Sequence, residues 1–192
     1  MWWSEMRLSD RRAVLRAARL AVALGAAGLL AGCFQPLYSS QPTVGGDSVK
    51  DKLADVQIAP IPARQGTPQA RLAVGLHNAL QFDLTGGGAP NVPTHRLDLT
   101  VGQSGFTVLV DPVSGRPTSQ VAGVSVSYQL VEIATGKVVV KDSTFANVDY
   151  DPPGSEQRFA VQRAQRDAED HAVQTAADSI RNRLASYFVA GT

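Results

Sequence analysis

One cysteine is the residue of this chain with the clearest chemistry. Cys33 is the only cysteine among 192 residues, so it has no disulfide partner within the chain and belongs to no cysteine metal cluster. It follows Leu30, Ala31 and Gly32, and the four residues together form a lipobox pattern. In that pattern the thiol is the nucleophile that receives a diacylglyceryl group, and cleavage before the cysteine frees an amine for a further acyl chain. We therefore predict covalent diacylglycerol and an N-acyl chain, such as palmitate, on Cys33.

The segment before the cysteine has the form of a lipoprotein signal peptide, predicted over residues 1–32. Residues 7–19 are arginine-rich, and residues 20–31 form an apolar run shorter than the roughly 20 residues that a membrane-spanning helix needs. Arg11 and Arg12 resemble a twin-arginine export pattern, so the Sec and twin-arginine routes both stay open.

The residue after the cysteine bears on localisation. It is Phe34, whereas an Asp at this position retains bacterial lipoproteins in the inner membrane. The sequence therefore predicts an outer-membrane lipid anchor that faces the periplasm. This holds whether translation starts at Met1 or at Met6.

Charge and histidine placement exclude several classes of protein. Residues 1–32 hold five arginines against two acidic side chains, which leaves 13 basic and 15 acidic residues after them. A near-neutral surface gives no reason to expect nucleic acid, because phosphate binding needs concentrated basic side chains. His77, His95 and His171 fall on separate predicted elements without carboxylates or cysteines at metal-ligand spacing, and no motif pairs a nucleophile with a base. The sequence predicts no enzyme, no metal and no cofactor beyond the lipid.

The first part of the mature chain predicts a tether, then a strand and a helix. Residues 33–55 are rich in Ser, Gly, Pro and Thr, which indicates a lipidated N-terminus and flexible linker, and a single domain is expected over 56–190. A short strand at 56–61 ends at prolines. Thr67-Pro68 begins a helix whose leucines recur every fourth residue, and the glycines at 86–88 end it.

The second part predicts three strands and a long helix. Apolar and polar residues alternate over 95–103, with 105–110 either continuing or pairing with that strand, and again over 124–130. A turn then completes a hairpin with 137–150, and a helix runs from Ser155 or Glu156 to about Phe188. The order is β-α-β-β-β-α. We expect an α+β fold with the two helices packed on one face of a four-stranded mixed sheet, whose other face is polar.

Several short motifs occur in a set order along the mature chain. They are Cys33–Tyr38, Ile58–Ile61 with Arg64, Asn78–Leu80 with Gly86-Gly87, His95–Leu99, Thr135–Lys137, and Ala168 with Ile180–Leu184 and Tyr187-Phe188. Their order and spacing resemble the family of LPS-assembly lipoproteins called LptE, in its alphaproteobacterial form. Many members have a glycine after the lipidated cysteine, which this chain lacks, and a tyrosine where this chain has His95. Neither difference affects the predicted fold.

The resemblance implies a function and partners. It implies a lipoprotein that plugs the outer-membrane barrel LptD, assists assembly of that barrel and takes part in delivering lipopolysaccharide to the outer leaflet. Because lipopolysaccharide is anionic, the exposed basic residues Arg96, Arg116, Lys137 and Lys141 are candidates to contact it. For each of them, a solvated charge at a strand edge is the alternative interpretation.

A second hypothesis needs no barrel. An envelope lipoprotein that binds a lipid or glycan by itself fits the same lipobox and the same sheet. A long closed cavity lined by Leu97, Val124, Val126 and the helix leucines would favour it, whereas a filled core would remove it.

Overall fold

The protein, seen in a computed structural model, is described over residues 48–87, 92–153 and 157–190. The helices are α1 (Val49–Ala54), α2 (Pro68–Thr85) and α3 (Arg158–Ala190), and the strands are β1 (Val56–Ile58), β2 (His95–Val110), β3 (Pro117–Glu132) and β4 (Val138–Tyr150). The lipobox ending at Cys33 and the predicted start of the last helix at Ser155 or Glu156 lie outside these residues.

The four strands form one mixed sheet in the order β1-β2-β3-β4. β1 runs parallel to β2, and the other two pairs are antiparallel. α2 and α3 pack on each other and on one face of the sheet, with α2 against β1 and β2 and α3 against β3 and β4. This is the α+β arrangement that the sequence predicts. The face without helices is called the open face below.

Alternation along the strands places the core on the helix side. The buried side chains of the two central strands are Leu97, Leu99 and Val101 on β2 and Val124, Val126, Tyr128 and Leu130 on β3. The stripe of α3 that meets them begins with Ala168, Ala172 and Ala176 and continues with Ile180 and Leu184. Because alanine extends little from the backbone, the first half of this stripe lets α3 lie close to the sheet.

The ends of α2 are those that its sequence predicts. The Thr67 side chain caps the helix by accepting a hydrogen bond from the Ala70 N–H at 3.3 Å, and Pro68 occupies the first turn. Gly86 ends the helix in the left-handed region, with φ 69°, which costs glycine little because it has no Cβ.

A helix precedes the first strand where a flexible tether was expected. Ser48 and Asp51 form a capping box at the start of α1. Val49 and Leu53, four residues apart on one side of the helix, are buried in the core. The fold therefore begins before position 56, because these two side chains bury more apolar surface than the polar linker composition suggests.

The strands differ in length from their sequence patterns. β1 ends at Ile58 rather than at position 61, because Pro60 and Pro62 have no N–H to donate to a neighbouring strand. β2 continues without a break to Val110, so residues 105–110 extend this strand. At about 3.3 Å per residue, the 16 residues of β2 span roughly 50 Å.

Candidate functional site

The four basic residues proposed as ligand contacts do not form one cluster. Arg96 lies near the start of β2, and Lys141 lies on β4 beside its register partner Gln129. Lys137 lies in the turn between β3 and β4 at the same end of the sheet. Arg116 lies at the opposite end, in the turn between β2 and β3. Any ligand that touches Arg116 therefore meets a different surface from one that touches Arg96 or Lys141.

Arg96 is engaged within the protein. Its Nε and Nη2 donate to the two carboxylate oxygens of Asp98 at 2.9 and 3.1 Å, and Gln129 Nε2 also donates to Asp98 at 3.3 Å. The hydrogen bonds from Arg96 hold the pKa of Asp98 below its ordinary value. Arg96 is thus partly neutralised before any anionic ligand arrives.

Lys141 lies in a groove on the open face. The groove has a volume of about 870 Å³ and is open to solvent. Polar side chains of three strands line its floor, and the prolines that follow β1 form one wall. Unlike Arg96, Lys141 forms no ion pair with any carboxylate in the described part of the chain.

The far end of the β2–β3 hairpin carries exposed apolar side chains. β4 pairs with β3 only as far as Gln120–Tyr150, and β1 pairs with β2 only at its start, so the remainder is a two-stranded ribbon. We call residues 106–117 the hairpin tip. Its exposed apolar side chains are Phe106, Val108, Leu109, Val110 and Val113.

The turn at the hairpin tip is closed by its own polar groups. Asp111 Oδ1 accepts hydrogen bonds from the backbone N–H groups of Val113 and Ser114 at 3.0 and 2.6 Å and from the Ser114 hydroxyl at 2.8 Å. The bond from the Ser114 N–H contributes most to holding the pKa of Asp111 below its ordinary value. The Asp111 N–H donates to the Arg116 carbonyl at 2.9 Å. The tip therefore presents apolar side chains and the Arg116 guanidinium around a turn that is closed by its own hydrogen bonds.

The sequence predicted a strand at the hairpin tip but not the exposure of its apolar side chains. The run Phe106–Val110 is apolar with little alternation, so its sequence pattern allowed it either to continue the strand or to pair with it, and predicted nothing about its exposure. Its exposure depends on where β4 and the helices end. The turn-rich stretch that follows is the one sequence signal of this exposure. An apolar run that leads into a solvent-exposed turn lies far from the core and cannot be buried in it.

The histidines remain apart. His77 is half-buried on α2, His171 is exposed on α3, and the His95 ring packs edge-on against Phe188 with centroids 5.3 Å apart. Within residues 48–87, 92–153 and 157–190, no three His, Cys, Asp or Glu side chains come close enough to hold a metal ion.

None of the helices in the described ranges is both long and apolar enough to cross a membrane. The family model LptE, described as Lipopolysaccharide-assembly, matches residues 53–184, which include every strand and α2 and most of α3. This chain belongs to the LptE family. LptE proteins are outer-membrane lipoproteins of lipopolysaccharide assembly and are not an enzyme family.

Solved structures share the fold of this LptE-family chain. A putative lipoprotein from Caulobacter crescentus CB15 is 21% identical, with a TM-score of 0.58, and the match covers 75% of this chain and 97% of that one. An uncharacterized lipoprotein B from Nitrosomonas europaea is 12% identical, with a TM-score of 0.53, covering 71% of this chain and 84% of that one. At these identities the likeness establishes the fold alone. Among curated protein sequences no significant match is found.

Proposed function

We propose that this lipoprotein is the plug and assembly factor of the outer-membrane barrel LptD and takes part in delivering lipopolysaccharide to the outer leaflet. Family membership supports the process. The observation that carries the proposal in this chain is the hairpin tip, where Arg116, which has no ion-pair partner among the described residues, lies beside exposed apolar side chains.

The chemistry of the tip fits an amphiphilic anion. Lipopolysaccharide presents acyl chains next to phosphates, and the tip presents aliphatic and aromatic side chains next to Arg116. A guanidinium forms paired hydrogen bonds with phosphate oxygens, and Arg116 has no carboxylate partner within the described residues. Of the four basic candidates, Arg116 is therefore the one we favour for contact with lipid phosphates. Lys137, Lys141 and Arg96 remain candidates for other polar parts of the ligand.

The shape of the tip also fits a barrel partner. A two-stranded ribbon with apolar side chains is a liability in water, because it invites pairing with other chains. Inside a large barrel the same ribbon is shielded from water and from other chains. The tip is therefore the part of the domain that we expect to reach furthest into LptD.

The proposed lipid on Cys33 places the domain beside the membrane. Fourteen residues, 34–47, separate Cys33 from the first described residue, Ser48. At the fully extended limit of about 3.6 Å per residue, this connection spans no more than roughly 50 Å. The domain is thereby held within reach of an outer-membrane partner, which raises its effective concentration there.

Two experiments test the proposal. Gentle detergent extraction of outer membranes, followed by affinity purification of this chain, should recover a large β-barrel protein. Conditional depletion should reduce both the mature barrel and surface lipopolysaccharide. Recovery of the chain alone, together with an unchanged envelope after depletion, would reject the proposal.

One form of the barrel-independent alternative, a lipoprotein that encloses a lipid in its interior, is not supported by the packing of the core. The side chains that would line such a cavity, including Leu97, Val124 and Val126, are packed with the leucines of α2 in one buried cluster. We therefore do not propose a ligand in the domain interior.

A further inference from the structure

The groove on the open face is built from polar rows that run across the sheet. Strand register places Asp98, Gln129 and Lys141 side by side on β2, β3 and β4. The next row contains three hydroxyl side chains, Thr100, Ser127 and Ser143. Adjacent strands are about 4.8 Å apart, so each row offers hydrogen-bonding groups at intervals of about that distance across the sheet.

These hydroxyls are available to a ligand. All three are exposed, and within residues 48–87, 92–153 and 157–190 none of them donates a hydrogen bond to another protein group. Lys141, which has no ion-pair partner in the described ranges, adds a cation at the β4 end of the groove, and Asp98 adds an acceptor whose ionised form is stabilised by Arg96. The floor thus offers donors, acceptors, the Lys141 ammonium and the Asp98 carboxylate. Asp142, which also lines the groove, has its carboxylate 3.4 Å from Arg183.

An exposed aromatic ring adjoins the groove. Phe145 is 77% exposed and is the register partner of Ser125, one row beyond Ser143 on the same face. The third member of its row is Gly102, where an added Cβ would lie only 2.6 Å from Ser125 Oγ. This end of the floor is therefore low, and the phenyl ring rises beside it with its surface in water.

This combination selects one kind of ligand. A purely apolar ligand would bury the hydroxyl rows without hydrogen-bond partners, which is unfavourable because each of these groups loses its hydration. A nucleic acid needs more than one free lysine in a nearly neutral surface. An extended peptide pairs with the backbone of a strand edge, whereas the groove crosses a sheet face and offers side chains. A sugar uses all the features: its hydroxyls meet the polar rows, and its C–H face packs on an aromatic ring.

We propose that the groove between the prolines after β1 and Phe145 is an oligosaccharide-binding site. It takes the acidic sugars of lipopolysaccharide, with Lys141 near their negative charge and Phe145 against a ring face. The choice of lipopolysaccharide as the source of the sugar rests on the proposed function. The site is separate from the hairpin tip, which lies at the other end of the sheet from Lys141.

The direct test is calorimetric titration of the full-length chain, purified in a detergent without a sugar headgroup. The first probe is the lipid-free core oligosaccharide released from lipopolysaccharide by mild acid, and the second is maltoheptaose, which is neutral. We expect Phe145→Ala to weaken binding of the core oligosaccharide about tenfold, through loss of the packed ring. We expect Lys141→Ala to weaken it about fivefold at low salt and less at high salt, because a solvent-exposed charge is screened. Maltoheptaose should bind the wild-type chain more weakly than the acidic probe.

Matched controls separate the groove from general surface effects. Phe159 is 89% exposed on α3, which packs on the other face of the sheet, and Lys50 is exposed on α1. Phe159→Ala and Lys50→Ala should bind the core oligosaccharide as the wild-type chain does. If the wild-type chain fails to bind that probe at millimolar concentration, or if all four variants bind alike, the inference is wrong. Equal binding of maltoheptaose would also overturn it, because Lys141 would then have no selective role.

The same variants distinguish this inference from the proposed function. We expect Phe145→Ala to co-purify with the barrel as the wild-type chain does. A variant that binds the oligosaccharide normally but loses the barrel would assign the open face to the barrel and overturn the site. If the wild-type chain recovers no barrel but still binds the oligosaccharide through Phe145, the proposed function fails while the sugar site stands.

Discussion

Gln103 of β2 donates a hydrogen bond of 2.7 Å from its Nε2 to Oε1 of Glu169 on α3. Glu169 is only 3% exposed, and it also accepts from Gln165 Nε2 at 2.9 Å and forms an ion pair with Arg71 of α2. A buried carboxylate needs such partners, because desolvation of an unpaired charge is costly. One side chain of α3 thus joins both long helices to the sheet.

Glu169→Ala should lower the free energy of unfolding by about 2–3 kcal/mol, since it removes the group that Arg71, Gln103 and Gln165 share. This decrease in stability is small for the loss of one partner of a buried ion pair, because the other partner, Arg71, stays partly in water. Urea unfolding measures it. Asp170→Ala, which removes the exposed carboxylate that also pairs with Arg71, should cost less than about 1 kcal/mol. Equal losses in the two variants would contradict the role given to Glu169.

Gly75→Ala should stabilise the domain by up to about 1 kcal/mol, because alanine is the better residue in a helix interior. Gly75 lies within α2, and a Cβ there would sit 3.7 Å from Val173 Cγ1, an ordinary contact. Gly86→Ala is the matched control, with the opposite expected effect on stability. Gly86 has a positive φ, so alanine there should destabilise. A lower thermal midpoint for Gly75→Ala would mean that α2 and α3 have no room for the methyl group.

His95 should make stability fall on mild acidification. Burial lowers the pKa of His95 in the folded state, against the opposing charges of Glu132 and Asp55. The unfolded chain therefore binds a proton more readily as pH falls through about 6.5, and stability rises with pH across that window. His95→Tyr keeps an aromatic ring against Phe188 without a group that titrates there.

Urea midpoints at pH 7.5 and 5.5 measure the effect. The difference between them should be smaller for His95→Tyr than for the wild-type chain. His171→Gln, at an exposed position on α3, is the control and should leave the difference unchanged. An unchanged difference for His95→Tyr would show that another group causes the pH dependence.

Leu109→Asp should separate function from stability at the hairpin tip. Leu109 is 60% exposed, so the free energy of unfolding should change by no more than about 0.5 kcal/mol. In cells, surface lipopolysaccharide and resistance to large hydrophobic antibiotics should fall, because the tip can no longer contact apolar groups. Phe82→Asp, at a 69% exposed position on α2, should have a normal envelope. A normal envelope for both variants would exclude the tip from the function.

Cys33→Ala should fold but lose its place in the membrane. The thiol is the proposed attachment point of the lipid, whereas the core of the domain is formed by residues after position 48. Fractionation should find the variant depleted from the outer membrane, and the unfolding midpoint of its domain should equal that of the wild-type domain. Normal amounts in the outer membrane would show that docking to the barrel alone holds the chain there.

Much of this fold follows from local sequence. Thr67-Pro68 and Gly86 set the ends of α2 because capping and glycine conformations are properties of a few neighbouring residues. The alternation around Val126 sets the buried face of β3 because side chains of a strand point to opposite sides in turn. The lipobox at Cys33 is likewise local, and it remains a prediction.

Other features were decided only by tertiary contacts. The helix at Val49 forms because its two apolar side chains find a place in the core, although its surroundings read as linker. The four basic candidates lie on two different surfaces because strand register and strand length set their positions. Neither the register nor the strand length can be predicted from the residues next to each candidate.

The sequence by itself predicts an export signal and a lipid-modified cysteine, and it determined the α+β class and the family resemblance, since each depends on residues close together or on their order. The tertiary structure alone decided that Glu169 is buried among partners up to 98 residues away, that the hairpin tip is exposed, and that Lys141 and Phe145 share one face with three hydroxyls. The physical reason is that burial, pairing and exposure depend on distances between elements that the chain brings together only when it folds.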